Sequence, residues 1–200
     1  MPSSTLPRIT TARLALTHAR PGNEARTVAF FDRNREHFRR WDPPVSADFY
    51  TEEFWHRALT RSVDDFAADR GVRFDMVRAG DEEGPLIGRL GFSQVVRGPL
   101  QSCVLGYQID HAYEGRGLMY EALAAAIDYM FGVRHLHRIQ AGYRPENARS
   151  GRVLTRLGFE TEGLSRNFLF IDGHWCDHVM TALINPNFVV TDSAALTRQG

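Results

Sequence analysis

The stretch Gly106-Tyr-Gln-Ile-Asp-His-Ala-Tyr-Glu-Gly-Arg-Gly-Leu-Met119 connects two elements that set the fold. Before the loop, Cys103–Ile109 is an apolar run typical of a central β-strand. After it, Leu118–Phe131 repeats apolar residues at three- and four-residue spacing, which predicts an amphipathic helix. The apolar face consists of Met119, Ala122, Leu123, Ala126, Ile127 and Met130. The stretch therefore predicts a strand that passes through a loop directly into a helix.

The loop itself, Glu114–Met119, has the chemistry of an anion site. Gly115 and Gly117 lack a Cβ, so the backbone can approach a ligand and adopt a positive φ. The first N–H groups of a helix have no partner inside the helix, and the helix dipole adds partial positive charge. Arg116 can add a full charge at the rim. A diphosphate fits such a loop, although glycines before a helix also serve as simple helix-entry turns.

A second polar block, Pro145-Glu-Asn-Ala-Arg-Ser150, precedes a predicted short helix at Ser150–Leu157. Asn147 is a good helix cap, and its amide group both donates and accepts hydrogen bonds. Ser150 is expected one turn into the helix. Helix capping alone would explain an isolated Asn-x-x-Ser. A functional role for this block is indicated only because it occurs together with the glycine loop that precedes it.

The chain before the loop predicts a strand, two helices and an antiparallel meander. The first strand is expected at Thr11–Thr17, where polar and apolar residues alternate. The second helix begins after a capping Thr51 and should bury one side. That side consists of Phe54, Ala58, Val63 and Phe66. The meander strands are expected at Arg73–Arg78, Leu86–Val96 and Cys103–Ile109.

The chain after the loop predicts its helix, a strand at Ile139–Tyr143, the short helix and a hairpin. The hairpin comprises Phe168–Ile171 and Trp175–Leu183 and turns at Asp172-Gly173, a dipeptide that favours a two-residue turn. Together these elements predict an α+β fold with a mixed, mostly antiparallel central sheet flanked by helices. We expect a single domain over residues 8–186 and flexible ends at residues 1–7 and 187–200.

The composition argues against several classes of function. The 24 basic side chains match the 24 acidic ones, so the basic excess of a non-specific nucleic-acid binder is missing and no direct nucleic-acid partner is expected. No apolar run approaches the roughly 20 residues of a membrane-spanning helix. Residues 1–8 lack the apolar core of a signal peptide. We therefore expect a cytoplasmic protein that does not use a membrane.

The cysteines and histidines do not indicate a metal centre. Cys103 and Cys176 are far apart in sequence and are expected to be reduced, buried thiols. His135 and His137 form a pair, but no third ligand follows at a suitable spacing. The sequence predicts no metal site.

The loop and the second block together resemble the GNAT N-acetyltransferase superfamily. Glu114–Met119 is similar to its pyrophosphate loop, and Asn147–Phe159 is similar to the block after its fifth strand. Further stretches resemble the RimJ/RimL branch of that superfamily, over residues 8–186. They are Thr11–Leu16, Val95–Gly98, Leu105–Tyr107, Gly115–Leu123, His137–Ile139 and Ile171–Val179. The fold that the resemblance implies is the α+β fold predicted above.

One position departs from the superfamily pattern. The loop usually opens with Gln or Arg, whereas Ala112 stands here. An alanine removes one optional side-chain contact to phosphate. The backbone cradle does not need this contact, so cofactor binding is expected to survive.

The resemblance implies direct transfer from acetyl-CoA to an amine, with CoA as the product. It places the diphosphate on Glu114, Gly115, Arg116, Gly117, Leu118 and Met119. Backbone N–H groups around Gln108 and Ile109, up to Asp110, would stabilise the thioester oxygen. Asn147 would hold the pantetheine arm, and Ser150 would protonate the leaving thiolate. Tyr143 is the alternative proton donor.

The acceptor implied by the resemblance is a protein N-terminus, most readily an alanine of a ribosomal protein. A small amine, such as a polyamine, an amino acid or an aminoglycoside, is an alternative. A CoA-binding regulatory domain without turnover is another. Either a monomer or a homodimer fits the sequence.

Candidate residues on the acceptor side are less well defined. The strand Cys103–Ile109 carries no obvious carboxylate to act as a base, which fits an α-amine because its pKa is only about 7.7–8.0. Weak base candidates are Glu114 and Asp177, or a chain of water molecules. His174, Trp175, Asp177 and His178 could pack the hairpin or line the acceptor cleft. Arg39-Arg40-Trp41 could end a solvated helix or contact a peptide.

Overall fold

The computed structural model describes residues 5–190 of the chain. Its strands are β1 (Arg8–Thr10), β2 (Leu14–His18), β3 (Val72–Arg78), β4 (Gly88–Val96), β5 (Ser102–Ile109), β6 (Arg138–Tyr143), β7 (Glu160–Ile171) and β8 (His174–Ile184). Its α-helices are α1 (Glu24–Arg33), α2 (Arg35–Arg39), α3 (Glu52–Ala67), α4 (Leu118–Gly132) and α5 (Ala148–Arg156). A single 3₁₀ turn, His111–Tyr113, follows β5.

These strands form one sheet in the order β1-β2-β3-β4-β5-β6-β8-β7. Neighbouring strands run antiparallel except β5 and β6, which run parallel. The parallel pair is possible because α4 provides the crossover between the two strands. The predicted α+β fold with a mixed, mostly antiparallel sheet is confirmed.

Helices cover both faces of the sheet. The larger core lies between the sheet and helices α4 and α5, and we call this side the α4 face. It includes Leu123, Met130 and Leu154 from the helices and Phe74 and Phe92 from the strands. The smaller core lies on the other side, the α1 face, and contains Phe30, Phe38, Trp55, Leu59 and Val77.

Two sequence predictions about the first part of the fold are wrong. The expected strand Thr11–Thr17 is two strands, because a turn joins Thr11 and Leu14: the Thr11 N–H donates to the Leu14 carbonyl at 2.9 Å. Helix α3, capped by Thr51 as predicted, buries Trp55, Leu59, Ser62 and Phe66. The prediction of its buried side is correct at Phe66 and wrong at Phe54, Ala58 and Val63, which are only half-buried. Phe54-Trp55 and Ala58-Leu59 are both apolar pairs, so periodicity alone does not choose between them.

The terminal hairpin is confirmed at its turn and is longer than predicted. Asp172 and Gly173 have φ angles of 48° and 84°, as a two-residue hairpin turn of type I′ requires. β7 begins at Glu160 instead of Phe168. This edge strand is largely exposed and starts with polar residues, so it lacks the alternation that marks a half-buried strand.

The predicted flexible ends, residues 1–7 and 187–200, lie largely outside the described residues. Within the described part, Leu6 packs against the larger core and the ring of Phe188 lies 5.1 Å from that of His137. No helix among residues 5–190 combines the length and apolar character that crossing a bilayer requires.

Candidate active site

The site begins at a gap in the middle of the sheet. β5 and β6 pair over Ser102–Val104 and Arg138–Gln140, and their pairing ends there. β5 continues to Ile109 paired with β4, whereas β6 continues to Tyr143 paired with β8. The diverging ends open a cleft through the sheet, with the phosphate-loop candidate at the end of β5.

The loop Glu114–Met119 has the backbone that its glycines predict. Gly115 and Gly117 have φ angles of 74° and 73°, in the left-handed region, and Gly117 caps α4. Among residues 5–190, the N–H groups of residues 115–119 have no hydrogen-bond acceptor. A row of unpaired N–H groups at the N-terminus of a 15-residue helix is suited to an anion.

A carboxylate on α4 fixes this loop against the start of the sheet. Glu121 accepts hydrogen bonds from the Thr11 hydroxyl at 2.6 Å, the Arg13 N–H at 2.9 Å and the Arg13 Nε at 2.6 Å. Burial acts to raise the pKa of Glu121, but these bonds outweigh it and hold the pKa below its ordinary value. Arg13 also donates to the Arg116 carbonyl at 3.0 Å. The loop is therefore held in place from outside.

Glu114 makes contacts that argue against a role as a base. Its carboxylate pairs with Arg149 on α5 and lies 3.2 Å from His37 Nε2 on α2. Each of its two carboxylate oxygens therefore already has a partner, Oε2 with Arg149 and Oε1 with His37. Glu114 instead links the loop to α5 across the entrance of the cleft.

The second polar block has the predicted local geometry. Asn147 caps α5 by accepting from the Ser150 N–H at 3.1 Å, which leaves its amide N–H₂ group for another partner. The Ser150 hydroxyl lies 2.7 Å from the Tyr107 hydroxyl of β5. This bond joins β5 to α5 beside the gap, and Tyr107 is a site residue that was not predicted from the sequence. Its signal was present in the alternation of β5, which turns Tyr107 to the α4 face.

Tyr143, at the end of β6, completes this hydroxyl cluster. Its ring packs against Gly151, where a Cβ would lie 2.9 Å from the ring, so a larger residue at position 151 would displace it. Burial raises the pKa of Tyr107 to about 12, although the bond with Ser150 acts in the opposite direction. Tyr107 therefore keeps its proton at neutral pH. The cluster offers hydroxyl donors on the α4 face of the gap.

The backbone at the end of β5 supplies a donor directed at the gap. Asp110 donates its N–H to the carbonyl of Ile87, the residue before β4, at 3.0 Å. Because successive N–H groups along a strand point to opposite edges, the N–H of Ile109 points to the gap. Asp110, which was among the expected donors, is thus paired on the β4 side, and the same alternation turns the Gln108 N–H toward β4.

The Gln108 side chain lies on the other side of the sheet from Tyr107. It donates to the carboxylate of Asp42, in the segment after α2. Burial is the main reason that the pKa of Asp42 is raised to about 6. Asp42 is the second residue missed from sequence, because only the three-dimensional fold brings it to β5.

Residues of the terminal hairpin divide between packing and exposure. His178 is buried, with its ring 5.3 Å from that of Phe168. Asp177 accepts from the Asn167 N–H at 2.9 Å, which explains it as a structural group rather than a base. Trp175 is 59% exposed. The hairpin tip reaches α2, where Asp172 lies 3.8 Å from Arg39.

His135 and His137 do not belong to a metal-binding cluster among the described residues. Among the residues that the structure describes, His, Cys, Asp and Glu side chains form no group of three or more suited to a metal ion. Cys103 and Cys176 are both free and buried.

Comparison with known proteins assigns this arrangement to a family. The family model described as acetyltransferase (GNAT) domain matches residues 13–160. The ribosomal protein uS5-alanine N-acetyltransferase of Escherichia coli (strain K12) is 40% identical over 181 residues, which cover 90% of this chain and 92% of that protein.

Solved structures agree with the sequence comparison. The ribosomal-protein-S5-alanine acetyltransferase from Vibrio fischeri has a TM-score of 0.87 at 32% identity, covering 92% of this chain and 99% of that one. Mycobacterium smegmatis RimJ in complex with CoA-disulfide has a TM-score of 0.85 at 27% identity, covering 98% of this chain and 94% of that one. With its diverging strands and glycine loop, the chain belongs to the GNAT acetyltransferase family, and it is an N-acetyltransferase that uses acetyl-CoA.

Proposed function

We propose that the chain acetylates the N-terminal α-amine of a protein, with alanine at the first position, and that a ribosomal protein of the uS5 type is its acceptor. The observation that carries this proposal is the 40% identity to the Escherichia coli enzyme, sustained over 92% of that enzyme's length. Similarity over nearly the whole length includes the acceptor side of the cleft as well as the donor loop.

The donor site in this proposal is the loop after β5. The unpaired N–H groups of residues 115–119 hold the diphosphate of acetyl-CoA, and Arg116 adds positive charge at the rim. The pantetheine arm enters the gap between β5 and β6, where the free amide N–H₂ group of Asn147 binds it. The Ile109 N–H faces the thioester oxygen, which gains negative charge as the amine attacks.

The proton donor is Ser150, supported by Tyr107. When the C–S bond breaks, the sulfur carries away the electron pair and needs a proton. The Ser150 hydroxyl provides it and is refilled by the Tyr107 hydroxyl, 2.7 Å away. Tyr143 remains the alternative donor, since its ring lies beside the same helix.

An α-amine acceptor fits the chemistry of the site. With a pKa of about 7.7–8.0, an α-amine is partly neutral at physiological pH, whereas a lysine amine near 10.4 is almost fully protonated. On the acceptor side of the gap, the pKa of Asp42 is raised to about 6 and the carboxylate of Asp110 is already paired with Arg33, whereas a polyamine would require several free carboxylates.

Steady-state acetylation of a set of amines tests the proposal. The set comprises three peptides that differ only in their first residue, which is Ala, Ser or Met. It also includes the Ala peptide with a blocked N-terminus, and spermidine. We expect the free Ala peptide to have the highest kcat/KM and the blocked peptide to show no turnover. Faster acetylation of spermidine would contradict the protein acceptor. Binding of acetyl-CoA without turnover of any amine would contradict an enzymatic role.

A further inference from the structure

The acceptor side of the gap contains a carboxyl group that forms no ion pair with the described residues. Asp42 lies in the segment between α2 and α3, in a half-buried position, and its carboxylate accepts from the Gln108 side chain. Two effects shift the pKa of Asp42: burial raises it, and the hydrogen bond from Gln108 lowers it by less. Among residues 5–190, the two fully buried carboxylates, Asp75 and Asp110, pair with Arg89 at 2.7 Å and with Arg33 at 2.5 Å.

The location of Asp42 follows from the strand that holds it. Gln108 and Tyr107 are consecutive residues of β5, so their side chains point to opposite faces of the sheet. Tyr107 contacts Ser150 on the α4 face. Gln108 therefore holds Asp42 on the α1 face. Asp42 and the hydroxyl pair thus lie on opposite faces of the same part of β5, where the strand no longer pairs with β6.

This placement matches what direct transfer requires. An amine that attacks the thioester from the α1 face must lose a proton on that side, while the thiolate gains one on the α4 face. We propose that the carboxylate of Asp42 receives the acceptor's ammonium group and takes a proton from it. This assignment rests on the proposed function and names the base that the sequence alone did not identify.

The proton balance closes with the groups present. The ammonium nitrogen gives one proton to Asp42, which later releases it to solvent. The neutral nitrogen attacks the carbonyl carbon and forms the C–N bond. The C–S bond then breaks, and the sulfur takes a proton through Ser150 and Tyr107. The nitrogen loses its second proton to solvent on the α1 face as it becomes an amide, and the hydroxyl pair regains one proton from solvent on the α4 face.

The pKa of Asp42, raised to about 6, suits this role. At neutral pH the group is ionised and able to accept a proton, and it is a stronger base than an ordinary carboxylate. The charged and titratable groups on the elements around it include His37, Arg39, Arg40, Arg89, Asp110, Arg144 and Glu146. Arg89 pairs with Asp75 at 2.7 Å, and Asp110 pairs with Arg33 at 2.5 Å. Arg144 lies 3.4 Å from Glu146, His37 lies 3.2 Å from Glu114, and Arg40 lies over the Trp41 ring.

The test compares Asp42→Asn with the wild type across pH, using the Ala peptide and acetyl-CoA. Wild-type kcat/KM should rise with a midpoint near pH 6. The variant should lose this limb, fall about 100-fold or more at pH 7, and recover as the amine deprotonates near pH 8. Its affinity for acetyl-CoA, measured by calorimetry, should not change.

The matched control is Asp48→Asn, which removes an exposed carboxylate in the same segment that bonds to Ser46 and Arg57. This control should keep the wild-type pH profile. Two results would overturn the assignment. One is an Asp42→Asn variant whose kcat/KM still rises with a midpoint near pH 6, and the other is a loss of kcat/KM of equal size at every pH. If the wild type prefers a small amine, the proposed acceptor is wrong, and the same comparison is made with that amine.

Discussion

At the scale of single residues, Gly117 is the residue on which the proposed donor site depends most. Its φ of 73° is strained for any residue with a Cβ, by roughly 1 kcal/mol or more. Space does not forbid a side chain, because a Cβ at this position would meet only Arg13 Nη2, at 3.7 Å. Strain and charge can therefore be separated by two substitutions.

Gly117→Glu should weaken acetyl-CoA binding by on the order of 100-fold or more, since it brings a carboxylate against the diphosphate. Gly117→Ala introduces the backbone strain without the charge, and should lose less than about tenfold in affinity. Calorimetry of both folded variants with acetyl-CoA measures the difference. Wild-type affinity in Gly117→Glu would show that the diphosphate binds elsewhere.

The residues found only in the structure show what a sequence pattern omits. The glycines and Asn147 were predicted because their local geometry follows from neighbours in the chain. The partners Tyr107 and Ser150 are 43 residues apart, and Gln108 and Asp42 are 66 residues apart. No local periodicity links residues so far apart in sequence. The hydroxyl pair, and the contact of Asp42 with Gln108, could therefore be identified only from the three-dimensional structure.

At the scale of elements, β5 and α5 act together. β5 holds Tyr107 on one face and Gln108 on the other, and α5 brings Ser150 to the first of them. The sequence predicted both elements to within two residues of their bounds. It did not predict that β5 and β6 separate after Val104 and Gln140, because the register of two strands depends on pairing across the sheet.

The bond between these elements predicts a specific pair of effects. Ser150→Ala should lower kcat, with little change in acetyl-CoA affinity, because the thiolate loses its donor. Tyr107→Phe should lower kcat by about 10-fold or more while it retains the ring's packing.

Because both residues act on one proton, the double variant should be about as slow as the slower single variant. Single-turnover kinetics measures all three variants. Effects that simply multiply would show that the two hydroxyls work independently, and an unchanged kcat in Ser150→Ala would remove it from the donor role.

At the scale of the whole molecule, the sheet separates the two substrates in the mechanism that we propose. The α4 face carries the donor loop and the hydroxyl cluster, and the α1 face carries Asp42. The gap between β5 and β6 is where the two faces meet. The order of elements along the chain predicted this α+β architecture, whereas the identity of the acceptor rests on similarity to a uS5-alanine acetyltransferase.

The most direct measurement is the position of the acetyl group on the product. A peptide that begins with Ala and contains an internal Lys is incubated with the enzyme and acetyl-CoA at pH 7, and fragment mass spectrometry locates the modification. We expect acetyl on the α-amine of residue 1, with the internal Lys unmodified. Acetyl on the Lys side chain, or an unmodified peptide, would contradict it.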